Sequence, residues 1–120
     1  MGYYTRHTME VKTGSHKVSD IANSIYNERD SIFYGLDEPN QYLLNNENSN
    51  GTFFLGSYEE VKWYDEEDDM IEFSKKFPDA EFIVHGEGEE QGDVWEHWYK
   101  NGTMKERHQE YHWTDWYSPE

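Results

Sequence analysis

Polar and apolar positions alternate over residues 3–12. Tyr3, Thr5, His7, Met9 and Val11 fall on one side, and Tyr4, Arg6, Thr8, Glu10 and Lys12 on the other. A period of two with one more polar side predicts a half-buried strand, ended by Thr13-Gly14-Ser15. The period then lengthens. Ile21, Ala22, Ile25, Arg29 and Ile32 follow an N-cap at Ser19 or Asp20 and predict an amphipathic helix of about four turns, closed at Gly35. Residues 37–51 are rich in Asn, Glu and Ser and read as a long loop pinned by Tyr42, Leu43 and Leu44. A second strand is expected within residues 52–63, firmest over 58–63, with Val61 and Trp63 inward and Gly56 at a bulge or turn.

Asp65-Glu66-Glu67-Asp68-Asp69 opens a second helix, where acids complement the positive end of the helix dipole. Met70, Phe73 and Phe77 form its buried stripe, Lys75 and Lys76 sit at its C-terminal end, and Pro78 stops it. Residues 80–85 predict a short strand with Phe82 and Val84 on one side, followed by the loop Gly86-Glu87-Gly88-Glu89-Glu90-Gln91-Gly92-Asp93. Residues 94–100 and 103–113 flank Asn101-Gly102, the signature of a two-residue type I′ hairpin. That turn sets the register: Tyr99 opposite Met104, Trp98 opposite Lys105, His97 opposite Glu106, Glu96 opposite Arg107, Trp95 opposite His108. Glu96, Trp98, Lys105 and Arg107 then share one face, while Trp95, Tyr99 and Met104 share the other and turn toward the helices. The expected fold is a single α+β domain over residues 1–120. Its mainly antiparallel sheet has element order β-α-β-α-β-β-β and two helices packed on one face. Residues 114–120 are left as a short aromatic tail, and no internal repeat is visible.

Charge changes this picture most. Twenty-six acids against ten Lys and Arg give a formal charge of −16. Self-repulsion of this size opposes compaction. An aromatic content of 18% separates the chain from a disordered acidic tail. Aliphatics are few, so aromatic rings must supply much of the core. A folded anionic surface repels nucleic acid and anionic membranes and attracts basic protein surfaces. The chain has no cysteine, which excludes disulfides, thiolate metal sites and cysteine nucleophiles. Its first residues carry no apolar signal region and no segment has the length of a membrane span, so a soluble cytoplasmic protein is expected.

Between residues 59 and 93, fourteen acids face three lysines, Lys62, Lys75 and Lys76. One cluster is Asp65, Glu66, Glu67, Asp68 and Asp69; the other is Glu87, Glu89, Glu90 and Asp93. Carboxylates at helical spacing approximate the charge density of duplex phosphates, about one per 1.7 Å of axis. The bland reading of the same acids is dipole compensation and a solvated loop. The loop acids do not match the spacing of an EF-hand. His97 and His108 lie diagonally on one sheet face and form a second-choice metal pair. His112 is about 13 Å along the strand from His108, too far to share an ion with it. No nucleophile elbow, dinucleotide loop or phosphate-binding loop is present, so no catalytic residue is assigned and no enzyme or cofactor is expected. Trp98, Trp113, Trp116 and Tyr117 exceed what the core needs, and Trp98 or Trp113 would serve as an anchor beside the acids.

Val61-Lys62-Trp63-Tyr64-Asp65, the helix of residues 69–79 and the stretch Gly86 to Trp95 resemble a group of small acidic proteins encoded by bacteriophages and prophages. Gly2-Tyr3-Tyr4-Thr5 and Tyr99-Lys100-Asn101-Gly102 fit the same group. The resemblance brings no known activity. It implies, by analogy with anti-CRISPR and anti-restriction DNA mimics, a non-enzymatic inhibitor of a host defence or nucleic-acid-handling protein. Such a protein would act in the host cytoplasm by binding a basic surface. The alternative is a phage accessory protein that binds a small ligand or metal, or that self-associates through its aromatics.

Overall fold

The computed structural model describes residues 6–29, 31–33, 36–47, 50–56, 65–87 and 94–109. Its elements are β1 (Arg6–Lys12), α1 (Val18–Asn27), α2 (Gln41–Leu44), β2 (Thr52–Gly56), α3 (Glu66–Ser74), β3 (Glu81–Glu87), β4 (Val94–Lys100) and β5 (Thr103–Gln109). The strands form one antiparallel sheet in the order β2-β1-β3-β4-β5. The fold is α+β, as the periodicities predict.

Alternation decides what each face carries. Val11, Phe82, Tyr99 and Met104 line up across four strands, and Met9, Val84, His97 and Glu106 form the next row. Phe53 and Leu55 extend these rows onto β2. The helices contribute Val18, Ile21, Ala22 and Ile25 from α1, and Met70 and Phe73 from α3, to the same buried cluster. Phe73 is its aromatic centre, with ring centroids 4.9 Å from Phe33 and 5.5 Å from Phe82, both edge-on. Such pairs add roughly 0.5–1.5 kcal/mol beyond the area they bury.

Three local expectations need correction. α1 begins at Val18, not after Ser19 or Asp20, because Val18 belongs to the apolar stripe and is buried with it. Ser19 is itself buried and donates its backbone N–H to Asn46 O at 3.0 Å. The helix stops at Asn27. The loop over 37–51 contains α2, capped by Asn40, whose side chain accepts from Leu43 N. Leu43 and Leu44 do pack on the core, but Tyr42 is 75% exposed and pins nothing. The second strand expected within residues 52–63 is present at Thr52–Gly56, with Gly56 opposite Thr8; its part over 58–63 lies outside the described residues. β3 runs on through Gly86 and Glu87, so the loop expected from Gly86 starts later. Tyr3, Gly35 and the tail after Gln109 also fall outside the described residues.

The hairpin forms in the register that Asn101-Gly102 dictates, with φ of 47° and 80° at the two turn residues. The turn also receives α3. Gly102 N–H donates to Ser74 Oγ at 2.8 Å, which ties the last residue of that helix to the sheet. Phe73→Ala should cost about 3–5 kcal/mol by the cavity it leaves. Urea denaturation followed by far-UV circular dichroism measures the loss.

Candidate functional site

The polar centre of the molecule grows out of the phase of α3. Glu66 lies four residues before Met70 and seven before Phe73, so it stands on the buried stripe of the helix and not among its solvated acids. It is only 5% exposed. β4 supplies the partners: its alternation turns Trp95, His97 and Tyr99 toward the helices. Glu66 Oε1 lies 2.7 Å from His97 Nδ1, and Tyr99 OH donates a short hydrogen bond to Glu66 Oε2. On the other side of the ring, His97 Nε2 meets Glu106 Oε2 at 3.0 Å, with Glu67 Oε2 at 4.0 Å. The hairpin register places Glu106 directly opposite His97.

Both ring nitrogens of His97 therefore face carboxylates, which accept and do not donate when ionised. Burial of the ring by itself lowers its pKa. The hydrogen bonds to Glu66 and Glu106 and their charges outweigh that, and the net shift is upward. The His97 ring is held between two carboxylates. Tyr99 goes the other way for a phenol: burial, then the bond to Glu66 and its charge, push its pKa well above the ordinary value. It stays protonated and serves as a donor, not as a base or a nucleophile.

Trp95 roofs this cluster. Its indole stacks on His97 with centroids 4.3 Å apart and meets the His7 ring edge-on at 5.8 Å. The indole crosses Gly86, where a Cβ would stand 2.2 Å from the ring. Only a glycine there lets the ring lie flat against β3. His7 is 2% exposed, and burial pushes its pKa down to about 4, with Glu66 acting to raise it and His97 to lower it. The two histidines are driven in opposite directions within one cluster.

The acids singled out from the sequence are not one surface. Asp65, Glu67 and Asp68 are exposed on α3 and Asp69 is half-buried, while Glu66 is turned inward and is removed from any docking ridge. Glu87 is exposed, but it belongs to the β3 face that points away from the helices. Glu89, Glu90, Asp93, Trp113 and His112 lie outside the described residues, as does the side chain of His108, whose backbone pairs with Trp95. Trp98 is on the outer face with Glu87. There two ladders run across the strands. In one, Trp98 lies between Ile83 and Lys105, donating to Glu81 Oε1 at 3.0 Å, with Lys105 Nζ 4.9 Å from its ring. In the other, Glu96 lies between His85 and Arg107, and the Arg107 hydrogen bond holds its carboxyl below the ordinary range. Ile83, Glu96, Trp98, Lys105, Glu106 and Arg107 line a concavity of about 390 Å³. The ion pair and the Lys–Trp contact expected from the hairpin register are both present.

Spacing alone carried the signal for the missed centre. Glu66 falls on the Met70–Phe73 stripe, and His7 was already on the inward side of β1. No family model matches the chain, and no curated protein or solved structure is similar to it. No helix among the described residues is long and apolar enough to cross a membrane.

Removing Glu66 leaves the buried His97 ring and the buried Tyr99 hydroxyl without their carboxylate. Glu66→Ala should cost about 3–5 kcal/mol, and the loss in the double variant with His97→Asn should be smaller than the sum of the singles. Chemical denaturation of the four proteins closes that cycle. His7 sets an acid limit. With a folded pKa of about 4 against 6.5 for the free side chain, the unfolded chain holds the proton between those values and the folded chain does not. Stability from His7 is therefore lost as pH falls through that window, by about 3 kcal/mol in all. Stability measured from pH 6.5 to pH 4 should fall less steeply in His7→Asn.

Proposed function

We propose that this chain is a non-enzymatic binding protein that docks the acidic end of α3 on the basic surface of a protein partner. The observation that carries the reading is the state of those acids. Asp65 and Asp68 are exposed and make no ion pair among the described residues, while Lys75, Lys76, Arg29 and Arg107 pair with Glu72, Glu28, Glu38 and Glu96 elsewhere. Like charges three or four residues apart on a helix repel one another, and the first turn of α3 carries Glu66, Glu67, Asp68 and Asp69. Dipole compensation offsets part of that repulsion. A cationic partner offsets more, and the net charge of −16 steers it in from a distance.

A site built to hold phosphates is the kind of basic surface this field fits, so the target class is a nucleic-acid-handling or defence protein of a host cell. Inhibition follows from occupancy of that site. The host cytoplasm is where such a target would be met. Trp98 and Glu87 sit on the far side of the sheet and take no part in this contact. The charge-driven mechanism predicts a salt-sensitive association rate. For a partner captured from host lysate and then purified, Asp65→Lys with Asp68→Lys should slow association about tenfold or more at low salt, leaving dissociation nearly unchanged. An association rate indifferent to both salt and this variant would sink the reading.

A further inference from the structure

The chain of buried contacts through His97 ends at an open rim. On the inner side, Nδ1 is held by Glu66 Oε1 at 2.7 Å, and Glu66 is fixed in turn by Tyr99 OH. On the outer side, Nε2 points between Glu106 Oε2 at 3.0 Å and Glu67 Oε2 at 4.0 Å. The imidazole side chain is 7% exposed, whereas those of Glu67 and Glu106 are 56% and 44% exposed. Solvent therefore reaches the oxygens, while the nitrogen stays anchored in the core.

We propose that His97 Nε2, Glu67 and Glu106 form a divalent metal site, with zinc the ion it suits best and Glu66 the residue that positions the ring. The geometry is close to that required. Zinc bonds to nitrogen and carboxylate oxygen of about 2.0–2.2 Å put neighbouring ligands of a tetrahedron about 3.3 Å apart. The two nitrogen–oxygen separations of 3.0 and 4.0 Å bracket that value. Closing the site requires rotation of the Glu67 and Glu106 carboxylates, 56% and 44% exposed, toward each other. The donor set is one imidazole and two carboxylates, which suits zinc and its transition-metal neighbours; calcium and magnesium take all-oxygen shells. A fourth position remains for water at the solvent side.

Two further observations point to the ion. The buried carboxylate on Nδ1 is the arrangement that orients a metal-bound histidine, fixing the tautomer so that Nε2 faces the metal. Glu66, Glu67 and His97 place one ligand atom each within 4.8 Å of one another, and Glu106 adds a contact to Nε2 at 3.0 Å without belonging to that group. A dication neutralises what one ring cannot. On binding, the Nε2 proton leaves to solvent and the freed lone pair takes the metal. Asp65 and Asp68 have no part in this site, so it stands or falls independently of the docking reading.

The test is calorimetric titration of the full chain with zinc chloride, in excess magnesium to occupy purely acidic sites. One zinc per chain is expected, lost on Glu67→Gln combined with Glu106→Gln. The two side chains are 56% and 44% exposed, and far-UV circular dichroism verifies that the variant is folded. Glu66→Gln should weaken zinc by about 10–100-fold through the ring it no longer orients. Cobalt(II) supplies a second readout, an intense visible band of tetrahedral type that the rim variant lacks. His85→Asn, on the opposite face beside Glu87 and Glu96, should leave both readouts unchanged. Absence of a zinc site, or zinc affinity and cobalt spectrum unaltered in the rim variant, would overturn the proposal.

Discussion

The buried carboxylate of Glu66 organises this structure. An anion at 5% exposure is tolerable only when it is fully paired. His97 and Tyr99 occupy both of its oxygens from a single strand, β4. The first residue of α3 is thereby fixed to the middle of the sheet, while Ser74 at the other end accepts the Gly102 N–H of the hairpin turn. From Glu66 to Ser74 the helix rises about 12 Å. Met70 and Phe73 fill the space between these polar ends, so helix and strand are matched in chemistry and hydrophobic phase.

The same ion cluster separates two kinds of histidine. His97 lies between carboxylates, which raise its pKa. His7, one row along and across Trp95, is buried where a charge would be costly, which lowers its pKa. Trp95 divides them, stacked on one ring and edge-on to the other, and reaches this position because Gly86 leaves room beneath it. A polar network this well satisfied resists sliding of α3 along the sheet, since any shift exposes an unpaired charge to the core.

Charge is distributed by layer. On the outer face, Arg107 pairs with Glu96, while Lys105 lies over the Trp98 ring and Trp98 donates to Glu81. At the start of α3, Asp65 and Asp68 are exposed and make no ion pair among the described residues, while Glu66 and Glu67 face His97.

Local chemistry sufficed for much of the fold. Asn101 and Gly102 fix a type I′ turn, and every pair from Tyr99–Met104 to Trp95–His108 follows by counting. The alternation in β1 and β3 and the stripe of α3 were equally legible, because periods of two and 3.6 are properties of the backbone itself. The start of α1 and the α2 turn were not, since each is decided by what it packs against. Helical spacing singles out Glu66 among the five consecutive acids, and the tertiary structure supplies the partners that bury it. Composition makes Asp65, Glu66, Glu67, Asp68 and Asp69 equivalent, yet one is buried against His97 and Tyr99 and its neighbours are solvated. The choice depends on the rotation of α3 over the sheet, which Met70 and Phe73 set by burying themselves between strands distant in sequence.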